Sequence, residues 1–272
     1  MNEFFGIFSA KGKAWAQVHR ERHKEAFAAS EALIFECHSA LHGKPANENL
    51  QRLLVSLLFA RCLEHFQSSV LLLEYGMVPS AKAVLRALSE AMFAACAISR
   101  DESVAQAYVA SVLRQHQRRL NKALNSEGKE LAVFRAAATP EAMAKLRDQI
   151  AAAGAKELKT EELANIGGVH DWYLTAYAML SDAVHTSVKD LTRYFEPGPD
   201  GSFIGLLYGS SDRETDRLLA LGALAMVNAR GALGDVYREN TNSFVDKHEA
   251  VFRKLAIDWT TEHPDYDEWG LK

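Results

Sequence analysis

An all-α fold is what this sequence predicts: an irregular multi-helix bundle of about seven to nine helices. Three observations carry that reading. Apolar residues recur at helical spacing over long stretches. Alanine and leucine, both strong helix formers, dominate the composition. Only six prolines and sixteen glycines interrupt 272 residues. At this length one helical domain spanning 1–272 can enclose a sizeable core, and 48% hydrophobic with 24% charged residues is ordinary for a globular chain. The net charge of −4 argues against strong non-specific affinity for nucleic acid across the whole surface. Cys37, Cys62 and Cys96 all fall inside apolar helical patterns without a C-x-x-C pair, which reads as buried free thiols in a reducing compartment. The start has an acidic residue at position 3 and no long apolar run, unlike a signal peptide. The longest apolar runs, such as 53–60, are too short to span a bilayer. The expectation is a cytoplasmic protein with no membrane contact.

The first helix is expected from about Lys13 to Leu41, stopped by Gly43 and Pro45. Asn47 is the expected cap of a second helix through Leu73, with Leu50, Leu53, Leu54, Leu57, Leu58 and Leu63 facing the core. Pro79 and Ser80 open a third helix that ends near Arg100. Asp101 or Ser103 caps a fourth, which runs to about Ser126. Between 127 and 165 apolar residues thin out and charge rises, so this part reads as a peripheral helical insertion. Within it Thr139-Pro140-Glu141 is a helix start and Gly154 a stop. Gly167-Gly168 turns the chain into a long helix expected from His170 to Phe195. Pro197 to Gly201 is a loop, and 202–208 a short extended piece. Ser211 to Glu214 has the pattern of a capping box opening a helix to about Arg238. A last helix carries Val245, Phe252, Leu255 and Trp259 before Pro264, and 264–272 is a loose tail.

The 170–195 stretch organises the functional reading. Tyr173, Tyr177, Ser181 and His185 recur every four residues and climb one side of a helix. Trp172, Ala176, Met179 and Ala183 make a separate apolar face. Leu174 and Ala178 suggest a second apolar side, as on a central helix. The third helix has a matching arrangement: Leu85, Leu88, Met92 and Cys96 form its apolar face, with Arg86 and Glu90 nearly opposite. Those two are flanked by Ala83, Ala87, Ala94, Ala97 and Phe93, a composition that suits close approach by another helix. A buried arginine or histidine needs partners. Arg86, Glu90, Ser181 and His185 are therefore expected to meet in one buried polar cluster, with Tyr177 on the same stripe. Such networks more often fix packing than perform chemistry.

The pair R-A-L-S-E at 86–90 and Y-A-M-L-S-D-A-V-H at 177–185 resembles an uncharacterised family of bacterial all-helical proteins. In that family an R-x-L-x-E helix precedes a Y-x-x-L-S-x-x-x-H helix. The matching positions are Arg86, Leu88, Glu90, Tyr177, Leu180, Ser181 and His185. Trp172, Tyr173, Leu191 and Tyr194 are also similar, and the resemblance covers roughly 51–195. The family carries no established activity, so what the resemblance implies is a fold and a site. It is also loosely similar to helical ribonucleases of prokaryotic defence and toxin systems.

Two functional readings follow. The first is an interaction or ligand-binding protein whose site comprises Arg86, Glu90, Tyr177, Ser181 and His185, taking an unknown small molecule or protein. The alternative is a metal-independent ribonuclease of defence or toxin type. There His185 would transfer protons and an arginine, Arg86 or Arg193, would stabilise the charge on phosphorus. Such nucleases use an arginine followed at slightly longer spacing by histidine, whereas Arg61 and His65 have only three residues between them. His19/His23 and His38/His42 have metal-ligand spacing, but Arg20 and Arg22 repel a cation and the two pairs do not converge. His170-Asp171 lacks a further His/Asp set, and Asp182 to His185 lacks the paired Glu-x-x-His motifs of a di-iron bundle. No metal and no cofactor is expected. Ser181 one turn from His185 lacks a nucleophile elbow. Lys11, Lys13, Arg20, Arg22 and Lys24 make one basic cluster. Arg114, Arg118 and Lys122, beside His116 and Arg119, make another and are the expected surface for RNA or another polyanion. The helix over 212–238 carries Gly222, Ala223, Ala225, Ala229, Gly231 and Ala232, which suggests a homo-oligomer formed through it.

Overall fold

In the computed structural model, residues 6–44, 49–185 and 188–262 are described, and the side chains of 189, 190 and 258–262 are outside that description. The expectations placed on Pro45, Asn47, Pro264 and the 264–272 tail, and on the Trp259 side chain, lie outside it. The fold is all-α apart from one small hairpin. Its helices are α1 (Ala10–Arg22), α2 (Lys24–Leu41), α3 (Leu50–Glu74), α4 (Val78–Arg100), α5 (Glu102–Leu124), α6 (Ala132–Ala137), α7 (Pro140–Ala152), α8 (Thr160–Ile166), α9 (His170–Trp172), α10 (Ala178–Val184), α11 (Val188–Leu191), α12 (Thr215–Tyr237) and α13 (Asn242–Glu262). Strands β1 (Phe195–Pro197) and β2 (Phe203–Leu206) pair antiparallel. The extended piece expected over 202–208 is β2, and it presents Phe203, Ile204 and Leu206 to solvent.

α4 is the centre of the bundle. From Ala91 to Ile98 it is buried without a break, and α3, α8, α10 and α12 pack around it. Its small residues allow these axes to come close, and the gaps between backbones are filled by Phe59, Phe66, Phe93, Leu85 and Met92. At the crossing of α12, Gly222 faces α4 and α3 so closely that an added Cβ would lie 2.7 Å from Leu85 Cδ2 and 2.9 Å from Phe66. The small residues of α12 are thus used inside the chain: Gly222, Ala223, Ala225, Ala229 and Ala232 are buried. Most of the small residues expected to carry a homo-oligomer contact are therefore packed within the chain. Among the described residues one helix, longer than apolar runs such as 53–60, passes a test of length and apolarity for crossing a bilayer that a buried core helix also passes. Thr215–Tyr237 meets that test by length and composition, with 67% of its apolar window buried in the fold.

Several other boundaries differ. The expected helix over 13–41 is two helices, broken at His23, whose ring nitrogen Nδ1 lies 2.8 Å from the Asp216 carboxylate. Asn49 caps α3 by accepting from the Arg52 amide at 2.7 Å. On α3 Leu58 and Leu63 are buried as expected, together with Val55, Phe59, Cys62, Phe66 and Leu73, whereas Leu50 and Leu57 are exposed. A helix apolar all round offers no periodic contrast from which to choose a face. The capping box at 211–214 does not form. Glu214 itself precedes α12 in the left-handed region at φ 63°, and its buried carboxylate pairs with Lys82 of α4 at 2.8 Å. Residues 127–165 divide: Leu120 of α5 with Ala138, Leu146, Ile150 and Ala155 makes a small separate cluster, while Leu163 and Ala164 of α8 join the main core.

Two expected outcomes follow. Gly222→Val overpacks the α12 crossing and should cost at least about 1–3 kcal/mol, read as a lower urea midpoint with unchanged slope. His19, buried on α1, stacks on Trp15 and bonds the Thr215 hydroxyl at 3.2 Å. Burial, helped by the neighbouring His23, pushes its pKa from 6.5 down to about 4. Below pH 6.5 the unfolded chain therefore takes up a proton that the folded chain refuses until about pH 4. Stability should fall by up to about 3 kcal/mol across that window. Urea midpoints at pH 7 and pH 5 check this, and an equal slope in His19→Gln would remove His19 as the cause.

Candidate functional site

The site is built where the chain re-enters the core after the insertion. Gly168 takes φ +63° with the Arg100 guanidinium against it, where a side chain would clash. The chain then forms α9, a π-helical turn over Tyr173–Tyr177, and α10. The expected single helix to Phe195 therefore ends at Val184 and contains a wide turn. The Thr175 hydroxyl donates to the Asp171 carbonyl at 2.7 Å, and the Ser181 hydroxyl to the Tyr177 carbonyl at 2.8 Å. Both bonds compete with the regular backbone ladder. π turns are often found at functional sites, and this one carries the residues that face Arg86 and Glu90.

Tyr177 is the link. Its hydroxyl accepts from Arg86 at 2.9 Å and donates to Glu90 Oε1 at 2.8 Å. Arg86 and Glu90 also form a direct ion pair at 3.3 Å. The guanidinium lies over the Tyr177 ring at 5.1 Å, a cation–π distance. Tyr177 stacks on Tyr173 at 5.2 Å, and Tyr173 on His170 at 6.0 Å. Phe93 of α4 meets both tyrosines edge-on. On the other side of the turn, Trp172 donates to the Ser89 hydroxyl at 3.3 Å. Burial raises the pKa of Tyr177, and its bond to Glu90 adds to this while Arg86 opposes it. The phenol therefore stays protonated and can donate.

The expected four-residue cluster is thus partly assembled. Arg86, Glu90 and Tyr177 come together. Ser181 is occupied by the Tyr177 carbonyl. His185 closes α10 and is exposed, and among the described residues its ring has no hydrogen bond or ion pair. The expected burial is also corrected. The Glu90 side chain is 44% exposed and that of Arg86 21%. The second apolar side expected of this helix is solvent-facing, with Leu174 and Ala178 exposed. Arg86 Nε, however, is buried with no acceptor.

Two residues beyond the expected set belong to the surroundings. Tyr108 of α5 is partly buried, and its pKa is raised chiefly by burial, with Arg61 and Glu90 acting on it in opposite senses. Arg61 belongs to α3. It sits one turn from His65, which is partly buried and whose proton affinity is lowered by burial and by Arg61. Arg61 is exposed, while its neighbours Cys62 and Leu63 are buried. Of the candidate metal pairs, His19 bonds Thr215, His23 faces Asp216 and His38 faces Gln67. The cysteines are buried free thiols, and burial pushes Cys37 and Cys96 up to about 12. They are unreactive as thiolates.

Residues 52–203 match a family of unknown function, DUF5677. The chain belongs to this family. The matched region contains Arg61, Arg86, Glu90, Tyr108, Tyr177, Ser181 and His185, and it leaves out α1, α2, α12 and α13. No curated protein and no solved structure matches the chain.

Tyr177→Phe should remove both bonds of the phenol while leaving the Arg86–Glu90 pair. The loss should be about 1 kcal/mol, below the roughly 3–5 kcal/mol of a fully buried broken pair, because solvent reaches Glu90. Urea denaturation of the two proteins measures the difference.

Proposed function

We propose that the chain is a ligand-binding protein whose ligand docks on Arg86 and Glu90. The observation that carries this is the orphaned, buried Arg86 Nε–H beside a carboxylate that is nearly half exposed. A buried donor without an acceptor is costly, and an acceptor group on a ligand would satisfy it. Glu90 offers a carboxylate to a donor on the same molecule. Tyr177 holds both side chains in place from the π turn. The matching chemistry is a small polar molecule that carries an acceptor, such as a carboxylate or amide oxygen, next to an amine or amide N–H. The buried thiols suit a reducing, cytoplasmic setting.

The test is recovery of bound small molecules from purified protein by native and denaturing mass spectrometry. The wild type is expected to retain a compound that Arg86→Lys and Glu90→Gln release, with all three proteins folded by circular dichroism. Equal retention by the three, or no retained compound, would count against the site. The alternative, a defence or toxin ribonuclease using His185 and an arginine, predicts something different. Expression of the intact chain would be toxic, and His185→Ala would relieve the toxicity. That reading draws less support, since no described contact joins His185 to Arg86.

A further inference from the structure

The insertion creates a second polar feature, independent of Arg86. On α5, Arg114, Arg118 and Lys122 are four residues apart, so neighbouring cations sit about 6 Å apart along the axis. The loop after α7 runs beside them. Between the loop and α5 lie two adjoining depressions of about 470 and 320 Å³, and both are lined by Arg114, Arg118, Lys122 and Glu157. These volumes are in the range of small-molecule sites.

The cations are partly preorganised. Arg114 Nε donates to the Ala155 carbonyl at 2.8 Å, and its terminal nitrogen donates to Gln117 at 3.3 Å. Ala155 is itself buried in the small cluster beneath, so this anchor is fixed. Arg118 pairs with Glu157. Arg119 adds a further positive charge to the smaller depression, and Lys159 acts on Glu157 from the loop. Glu157 is the only acidic residue among those lining either depression. The whole chain is acidic at −4, so the local excess of positive charge goes against the global balance. The side chains of Arg118 and Glu157 are 51% and 57% exposed. An ion pair this exposed is weak, and a stronger anion can displace it.

We propose that this groove binds a compact ligand bearing two or three adjacent phosphate groups, and that Glu157 occupies Arg118 when the ligand is absent. Arginine presents paired N–H groups that suit phosphate oxygens, and two or three adjacent phosphates match cations spaced along one helix face. Among the described residues no aromatic ring lines either depression. Recognition of single-stranded nucleic acid leans on stacking of bases against such rings. The groove is therefore suited to reading phosphates rather than bases.

The experiment is calorimetric titration of the full chain with inorganic tripolyphosphate, orthophosphate and a short single-stranded RNA. Tripolyphosphate should bind, and its affinity should fall as salt is raised. Arg118→Gln should weaken it by tenfold or more. Glu157→Gln should strengthen it several-fold, an effect that a merely structural Glu157 would not produce. Orthophosphate should bind far more weakly. Absence of tripolyphosphate binding in both wild type and Glu157→Gln would overturn the proposal. So would an affinity indifferent to either substitution, or RNA binding tighter than tripolyphosphate with dependence on base sequence. Arg86→Lys should leave the titration unchanged, which keeps this site distinguishable from the one on α4.

Discussion

The enclosure of α4 is the constraint on which the rest of the fold depends. A helix with no exposed side from Ala91 to Ile98 must be surrounded, and four other helices are committed to that task. Ahead of that stretch Lys82, Arg86 and Glu90 stand at four-residue spacing. Each meets a partner from a segment distant in the chain. Lys82 holds Glu214 at the entrance to α12, and Arg86 and Glu90 hold Tyr177. The polar edge of α4 thus fixes where two later segments dock. The left-handed backbone of Glu214 is one price of that arrangement, since a glutamate reaches φ 63° only when its surroundings demand it.

The same edge explains why the site is half open. Desolvation limits how much charge a helix bundle can hold, and a fully buried ion pair often stabilises less than an apolar replacement. Here the phenol of Tyr177 shares the load. It accepts from one terminal nitrogen of the guanidinium and donates to the carboxylate, while Glu90 keeps contact with water and the buried Arg86 Nε stays without an acceptor among the described residues. The arrangement is stable enough to persist and open enough to be reached.

Much of this was legible from residue order. The apolar face of α4, the cap at Asp101 and the helix start at Thr139-Pro140 follow from local rules and appear as expected, and the polar edge of α4 meets the 170–185 stretch through Tyr177. What was hidden depends on partners far along the chain. His23 breaks a periodic pattern because Asp216 is waiting for it. Leu174 looks like a core residue until the neighbour that would cover it proves absent among the described residues. Glu214 mimics a capping box but is claimed by Lys82. The linking role went to Tyr177 rather than Ser181 because a serine on a helix readily bonds its own backbone, whereas a tyrosine reaches across to another helix.

The wide turn at Tyr173–Tyr177 has a bearing on chain length. An extra residue in a helix rotates everything beyond it by about 100° relative to a regular helix. Trp172 on one side of the turn and Tyr177 on the other both face α4 only because that rotation is present. Shortening the segment by one residue would let it relax to ordinary helix, yet one of the two rings would then swing towards solvent. The number of residues between them is therefore under a geometric lock of its own, separate from their identity. A substitution in the turn that keeps Tyr177 leaves this spacing intact, whereas an insertion or deletion there changes which rings face α4.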